Sequence, residues 1–356
     1  MSEQARARRE RWLRAARFER PDRVPIRCGI SNAIWHHHPH DAIQALMASH
    51  LLLFPDYSPW EGQYEPKLAP WRRADSPHTD SWGCVWVTAE DGLTGAVSEH
   101  PLADWSAWDQ FADPDPAHEM GWGPIDWEQV EAAMARTEAE GGLKQGSLRH
   151  GHTFLTLSYV RGYENLLFDM VDDDPRLGQL IERVEAFNLG LVERYVALGV
   201  EWMGYPEDLG MQVGPLLSPA QFCHHIKPSY QRLIAPAREA GCVIHMHSDG
   251  DLHQLADDLI EGGVDALNLQ DMVNGVDWIA EHLKGRVCID LDIDRQNVTR
   301  TGPVEAIDAH VRHAFETLGD PSGGLMVTYE FSPGTSIENA GAVMDALERY
   351  TGMYSG

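Results

Sequence analysis

The sequence predicts an α/β protein built as a single (β/α)8 TIM barrel with N-terminal helical and hairpin additions. From about residue 141 onward, strand-like segments alternate with amphipathic helices and turn glycines, the pattern of parallel β/α units. The chain has 356 residues, a normal length for one barrel with additions. No G-x-G-x-x-G follows a predicted strand, which disfavours a dinucleotide-binding open sheet.

Residues 1–140 are predicted to form an N-terminal extension that contains the first strand and a β-hairpin. Four histidines fall within the loop at 29–40, which we interpret as lining a pocket. A dedicated metal site there is disfavoured, because sequence-adjacent imidazoles rarely converge on one ion. The predicted strand covers 23–28, the hairpin 80–87 and 92–99, the helices 5–18, 41–53 and 126–140, and the irregular segments 55–80 and 113–124.

Residues 141–356 are predicted to form the regular β/α units, so that the whole chain is one barrel domain. The longest helix is predicted to begin at Pro175 and to present one apolar stripe, from Leu177 to Tyr195. Strands are predicted at 142–148, 200–203, 243–247, 264–267, 287–290 and 324–328. Further helices are predicted at 163–171, 218–240, 251–261, 277–283, 303–318 and 337–350.

Composition excludes several classes of partner. The formal net charge of −27 repels nucleic acid and anionic membranes. No apolar run has the length of a membrane span, and the charged N-terminus lacks a signal-peptide core, so we expect a cytoplasmic protein. The five cysteines are scattered and form no C-x-x-C, which disfavours a disulfide framework or a zinc ribbon.

The segment from Val243 to Asp251 is the most informative part of the chain. Val243 and Ile244 begin a short buried strand, on which His245 and His247 point the same way and Asp249 continues the row. In a barrel, the carboxyl ends of the strands form the active-site face. Structural alternatives remain open at this point: His245 as a core histidine, and Asp249 as a cap for the next helix.

Other polar residues follow the remaining strands and are expected at the same face. Their many carboxylates require positive charge or raised pKa values, and a divalent metal ion would supply the charge. We predict metal ligation by His247, Asp249, Glu330 and Glu207, a nitrogen and oxygen set of catalytic type. We predict catalytic roles for Glu207, Asp208, His245, Asp294 and Tyr329, and substrate contacts for Gln212, Asn268 and Trp35.

Motifs of three common enzyme classes are missing. The chain has no H-E-x-x-H, no G-x-S-x-G and no P-loop, which disfavours a zinc metalloprotease, an α/β-hydrolase and a P-loop NTPase.

The aromatic residues Trp60, Tyr64 and Trp71 of the irregular segment would suit a pocket for an aromatic or cationic substrate, or would pack on the barrel.

The order of short motifs resembles the uroporphyrinogen decarboxylase superfamily, which also contains cobalamin-dependent methyltransferases. The matching pieces span nearly the whole chain: Arg20-Pro-Asp-Arg-Val-Pro25, Asp80-Ser-Trp-Gly83, His100-Pro-Leu102, Arg161-Gly-Tyr-Glu-Asn-Leu-Leu167, Glu207-Asp-Leu-Gly-Met-Gln-Val-Gly-Pro215, Ser218-Pro219 with Lys227-Pro228, His247-Ser-Asp-Gly250, Gly263-Val-Asp-Ala-Leu-Asn268, Ile293-Asp-Arg-Gln296 and Glu338-Asn339. The resemblance implies a (β/α)8 barrel with its active site at the carboxyl ends of the strands.

Within this superfamily the chain is closer to the methyltransferase branch. Nothing after Pro25 is similar to the arginine-rich signature that holds porphyrin carboxylates in the decarboxylase proper, and the net charge suits a polyanionic substrate poorly. The methyltransferases bind zinc through an H-x-C motif and a later cysteine. His247 matches the histidine, but Asp249 stands in place of the first cysteine and Glu330 near the second.

The resemblance therefore implies a metal-dependent methyltransferase with an oxygen-rich site. We expect zinc or another divalent metal, a small methoxylated or methylamine-like donor, and a corrinoid carried by a partner protein. A homodimer is common in this fold family. Two alternatives stay open: a metal-independent decarboxylase or lyase of the same fold, in which acids, a tyrosine and a histidine transfer protons, and a non-catalytic binding barrel.

Overall fold

The computed structural model describes residues 3–354. Within this range the chain divides into two compact units. The first unit comprises residues up to 10, 76–87 and 95–269, and the second comprises 11–75, 88–94 and residues from 270 onward. Both units contain parallel strands alternating with helices, and the α/β TIM-barrel class predicted from the sequence is confirmed.

Ten strands occur in the described residues. They are β1 (Ile26–Ile30), β2 (His78–Thr79), β3 (Val85–Val87), β4 (Ala96–Glu99), β5 (Gln145–Ser147), β6 (Trp202–Asp208), β7 (Val243–Asp249), β8 (Ala266–Gln270), β9 (Cys288–Asp292) and β10 (Leu325–Phe331).

Fifteen α-helical segments occur in the same range. They are α1 (Glu3–Ala16), α2 (Ile34–His37), α3 (His40–Ser49), α4 (Trp127–Glu140), α5 (Phe154–Arg161), α6 (Tyr163–Asp172), α7 (Pro175–Ala197), α8 (Pro219–Gln221), α9 (Lys227–Glu239), α10 (Ala256–Glu261), α11 (Asp271–Asn274), α12 (Val276–His282), α13 (Val298–Thr301), α14 (Val304–Leu318) and α15 (Ile337–Tyr350). A π-helical turn, Phe222–Ile226, joins α8 to α9.

The first unit is organised around the parallel strands β5, β6, β7 and β8, paired in that order. Helix α7 packs beside them through the predicted apolar stripe, whose residues are all buried. Asp174 caps α7 by accepting a hydrogen bond from the backbone N–H of Arg176, and Pro175 occupies the first turn as predicted. The predicted hairpin is confirmed as β3 and β4, to which β2 adds a third antiparallel strand.

Strands β6 and β7 extend further toward their carboxyl ends than the sequence predicts. The predicted loop at 204–210 is largely strand, because the parallel register continues from Gly204 beside His245 to Asp208 beside Asp249. Pro206 is tolerated since its carbonyl faces Gly151, on the side where β5 has already ended, so that no ladder bond is lost. The extension places Glu207, Asp208 and Asp249 on strands rather than on loops.

The second unit contains the parallel strands β1, β10 and β9, paired in that order. Helices α14 and α15 bury apolar faces, with Val311 and Phe315 on one and Val343 and Leu347 on the other. The segment at 29–40, predicted as a loop, contains helix α2 and the start of α3. None of the helices in residues 3–354 combines the length and apolar character that crossing a membrane requires.

Candidate metal centre

Three side chains in the first unit bring metal-ligating atoms together. They are His150, which follows β5, Asp208 at the end of β6, and His247 on β7. One ligand atom from each lies within 4.8 Å of the other two. The Nε2 atoms of His150 and His247 lie 3.3 and 3.6 Å from Oδ1 of Asp208. All three side chains are partly exposed, so an ion or a substrate can reach them.

The geometry of His247 favours ligation through Nε2. Its Nδ1 atom is hydrogen-bonded to Oδ1 of Asn268, which lies beside it on β8. An amide oxygen only accepts, so Nδ1 carries the proton and Nε2 presents its lone pair. That Nε2 atom faces Asp208 and also lies 3.8 Å from Oδ1 of Asp249. Asp249 is therefore placed to add a second carboxylate to the cluster.

Electrostatics couple His150 and Asp208. Burial alone would lower the pKa of His150, but the hydrogen bond to Asp208 and the carboxylates of Asp208, Glu207 and Asp249 raise it above its ordinary value. Burial would raise the pKa of Asp208, but the hydrogen bond and charge of His150, with the charge of His247, hold it below its usual range. The site thus keeps an ionised carboxylate between two imidazoles.

Glu207 has a different environment from the one predicted for a metal ligand. Its carboxylate is fully buried and accepts hydrogen bonds from the backbone N–H groups of Thr153, Phe154 and Leu155 at the start of α5. The hydroxyl of Tyr230 donates a fourth bond, 2.8 Å long. Burial raises the pKa of Glu207 despite these donors. Because four protein donors bind its oxygens, three of them at Oε2, Glu207 anchors the segment that follows His150.

His152 is a buried neighbour of this anchor. Its Nδ1 atom lies 2.7 Å from the hydroxyl of Thr153, and its Nε2 atom lies 4.0 Å from Oε2 of Glu207. Burial, with the positive charges of His150 and Arg149, lowers the pKa of His152 to about 3. The imidazole is therefore neutral at physiological pH. It packs beside Glu207 and Thr153, which hold the segment that follows His150.

The other predicted site residues of the first unit lie in two different settings. His245 is buried, and its ring lies 5.3 Å from the ring of Trp202 on the adjacent strand β6, which is the setting of a core histidine. Gln212 lies exposed in the loop after β6, between the exposed side chains of Met211 and Val213. The structure thus brings Asp208, His247, Asp249 and Asn268 together and leaves His245 in the core.

Asp294, Tyr329, Glu330 and Trp35 lie in the second unit. Asp294 was predicted to be catalytic, but its carboxylate accepts hydrogen bonds from the backbone N–H groups of Gln296, Asn297 and Thr299 and so caps a loop. Tyr329 is buried, its hydroxyl has no hydrogen-bond partner among the described residues, and burial raises its pKa. Glu330 is exposed and accepts a bond from Ser332.

Trp35 was predicted to contact substrate. Its ring lies 4.5 Å from the ring of Tyr64 and 5.8 Å from that of Trp60, at tilted angles. His40 adds an edge contact at 5.3 Å. Rings at these separations touch one another, so Trp35 belongs to an aromatic packing cluster, and its contact with substrate stays a prediction.

His150 is the site residue that the sequence prediction missed. It lies three residues after the end of β5, the position from which candidates were drawn for the other strands. Strand β5, Gln145–Ser147, lies within the strand predicted at 142–148, but no candidate residue was predicted after it. Applying the same rule to this strand would have found Arg149, His150 and His152.

Comparisons with known proteins show which family the chain belongs to. The family described as uroporphyrinogen decarboxylase (URO-D) matches residues 86–350. No curated protein sequence matches the chain. A solved methyltransferase from Methanosarcina mazei is similar over 96% of this chain and 98% of its own, with 19% identity and a TM-score of 0.65, which supports a shared fold.

More distant solved structures share only part of the architecture. A D-psicose 3-epimerase aligns with 65% of this chain and 86% of its own, at 10% identity and a TM-score of 0.40. A sugar phosphate isomerase/epimerase from Parabacteroides distasonis aligns with 62% and 75%, at 15% identity and a TM-score of 0.36. These similarities are too low to bear on function.

Proposed function

Because the chain belongs to the uroporphyrinogen decarboxylase (URO-D) family, we propose that it is a metal-dependent methyltransferase of that superfamily. It would move a methyl group from a small methoxylated or methylamine-like compound to a corrinoid carried by a separate protein. The observation that supports this proposal is the cluster of His150, Asp208 and His247, with Asp249 beside it. The likeness to the Methanosarcina mazei methyltransferase is consistent with it.

The donor atoms of the cluster fit a divalent metal ion. Imidazole nitrogen and carboxylate oxygen are common zinc ligands, and a set of three protein ligands leaves a position for water or substrate. Asn268 fixes the ring of His247 in the manner of the outer ligands that orient metal-binding histidines. Without thiolates the set is harder than the zinc site of the related methyltransferases, which suits an oxygen or nitrogen substrate better than a thiol.

The metal ion, when bound, would supply Lewis acidity that polarises the ether oxygen or amine nitrogen of the donor. The protein's own residues set up the site around it. Glu207 holds the backbone of residues 153–155, which fixes the segment that presents His150. Asp208 keeps its charge between the two imidazoles, and Asn268 holds His247 in the ligating tautomer.

Methyl transfer to reduced cobalamin tests the proposal. The zinc-loaded protein would be incubated with cob(I)alamin and a panel of methoxylated aromatics and methylamines. Methylcobalamin would be followed by its absorbance and the demethylated product by mass spectrometry. We expect transfer from at least one donor, lost in His150→Ala and His247→Ala. His118→Ala, which removes an exposed histidine of the first unit, is the matched control and should keep activity. Transfer from none of the donors by loaded wild type would contradict the proposal.

A metal-independent lyase is the second candidate, and one observation favours it. His150 lies 3.3 Å from Asp208 with a raised pKa, an arrangement that can donate and accept a proton without a metal. Carbon dioxide release from a panel of aromatic and aliphatic carboxylates, measured after exhaustive chelation, separates the two candidates. Release that survives chelation and is lost in Asp208→Asn would favour the lyase.

A further inference from the structure

A second group of metal-ligating side chains lies in the first unit, formed by residues that the proposed active site does not use. Asp173 directly follows the end of α6, and His224 and His225 lie in the π-helical turn Phe222–Ile226. One ligand atom from each lies within 4.8 Å of the other two. The three side chains come from distant parts of the sequence, so the fold brings them together.

The spacing of the donor atoms matches that of ligands around one ion. Nε2 of His224 lies 3.2 Å from Oδ1 of Asp173, and Nε2 of His225 lies 3.7 Å from the same oxygen. The carbonyl oxygen of Met170 lies 3.1 Å from Nε2 of His225. Ligands of a tetrahedral zinc ion with bonds of about 2.0–2.1 Å lie about 3.3 Å apart. The three separations, 3.1 to 3.7 Å, are close to this value.

The π-helical turn carries two adjacent histidines whose rings lie close together. In an α-helix, successive side chains point about 100° apart around the axis. Here the rings of His224 and His225 lie only 4.4 Å apart. Such turns are rare and frequently occur at functional sites. The turn thus presents both imidazoles, whose rings are in contact, to the carboxylate of Asp173.

The backbone at Asp173 is a second unusual feature. Its φ of 50° lies in the left-handed region, which favours glycine at the end of a helix. After glycine, aspartate is one of the residues that adopt this region most readily, and its side chain supplies the carboxylate that both histidines face. The left-handed residue at the end of α6 therefore places a carboxylate beside the π-helical turn.

The group is accessible to ions in solution. The side chains of Asp173 and His224 are 70% and 66% exposed, whereas His225 is 10% exposed and fixed by its bond to the Met170 carbonyl. The net charge of −27 concentrates cations near the surface. An ion can enter from solvent, displace the proton that links His225 to Met170, and keep a position for water.

We propose that Asp173, His224 and His225 form a second, surface binding site for a divalent transition metal ion, with zinc as the best-fitting ion. Two imidazoles and one carboxylate suit zinc, nickel or copper and disfavour calcium and magnesium, which require oxygen ligands. The Met170 carbonyl is the nearest further donor.

Zinc titration in a variant without the first site tests the proposal. The full-length His150→Ala/His247→Ala protein would be titrated with zinc against a chromophoric chelator. We expect about one equivalent to bind, with loss of that equivalent when His224→Ala or His225→Ala is added. His118→Ala is the matched control, since it removes a histidine that faces one carboxylate, Asp115, at 4.0 Å. Cobalt(II) would give a visible spectrum that the same variants lose.

Titration of the double variant tests the surface site separately from the proposed active site. No zinc bound by the double variant, or binding unchanged by His224→Ala and His225→Ala, would overturn the surface site and mean that the three side chains form only ion pairs. If the double variant does not fold, as judged by circular dichroism, wild type and His224→Ala are compared instead. A fall of about one equivalent would then support the site, and an unchanged stoichiometry would overturn it.

Discussion

Nδ1 of His247 is hydrogen-bonded to Oδ1 of Asn268, its neighbour on the adjacent parallel strand. This bond fixes the tautomer that leaves Nε2 of His247 facing Asp208 and Asp249. The strand register therefore does two things at once: it aligns the candidate ligands and supplies the amide that orients one of them. The proposed metal centre depends on three adjacent strands rather than on the row along β7 alone.

Removing the amide of Asn268 should weaken metal binding without removing a ligand. We expect Asn268→Ala to lower the zinc affinity by about 10–100-fold, because the ring of His247 loses the partner that holds its orientation. Asn268→Asp keeps an acceptor and should retain more affinity than Asn268→Ala. Competition with a chromophoric chelator measures both values. Equal zinc affinity in wild type and Asn268→Ala would show that the bond does not orient a ligand.

The buried carboxylate of Glu207 should depend on the hydroxyl of Tyr230. Tyr230→Phe removes a donor to a buried charged group, which we expect to lower the free energy of unfolding by about 1.5–3 kcal/mol. Tyr205→Phe is the matched control, because its buried hydroxyl donates to the neutral carbonyl of Leu233 at 3.0 Å. The control should lose only about 0.5–1.5 kcal/mol. Urea denaturation measures both, and equal losses would contradict the role assigned to Glu207.

Much of the fold could be predicted from local pattern. The apolar stripe of α7 identified a buried helix face, and Pro175 identified its start. The strand ends were less predictable. Polar residues such as Glu207 and Asp249 resemble loop residues in sequence, but the parallel register with a neighbouring strand keeps them in β conformation. The ladder is a long-range interaction that the sequence pattern does not contain.

The site could be predicted only in part, for a related reason. His247 and Asp208 were found because they follow predicted strands, whereas His150 was missed because the polar residues after the strand predicted at 142–148 were not included among the candidates. Glu207 and Asp294 were predicted as functional carboxylates, but both are used by backbone N–H donors. An acidic residue at the end of a strand has the same sequence signature whether it caps a loop or faces a substrate.

Asp294 provides a direct test of that distinction. Because its carboxylate caps the loop that follows β9, we expect Asp294→Ala to cost about 1–2 kcal/mol of stability, as for loss of a helix cap. The folded variant should retain zinc binding and methyl transfer. Thermal unfolding and the cobalamin assay give the two readouts. A large loss of turnover with unchanged stability would instead support the catalytic role first predicted for this residue.

The buried pair of Asp271 and His310 in the second unit should make stability depend on pH. Their side chains lie 2.7 Å apart. The hydrogen bond and charge of Asp271, with the charge of Asp294, raise the pKa of His310 although burial opposes them. Burial raises the pKa of Asp271, and the bond and charge of His310 counter it only in part.

The raised pKa values of His310 and Asp271 change the free energy of unfolding in the same direction. A group that binds its proton more tightly when folded contributes stability at low pH and loses it as the pH rises through its folded pKa. For His310 the contribution is complete below the unfolded pKa of about 6.5. We therefore expect the stability advantage of wild type over Asp271→Asn/His310→Gln to fall as the pH rises above about 6.5. Denaturation at a series of pH values on either side of this value measures the difference, and parallel curves would exclude the linkage.

The central claim is that His150, Asp208 and His247 bind a metal ion. Its most direct test is elemental analysis of the purified protein in the His224→Ala background, which removes the surface site, with and without His150→Ala. We predict about one equivalent of zinc or another divalent metal in the His224→Ala protein, lost when His150→Ala is added. A metal content that His150→Ala leaves unchanged, or no bound metal after incubation with zinc, would contradict the proposed centre.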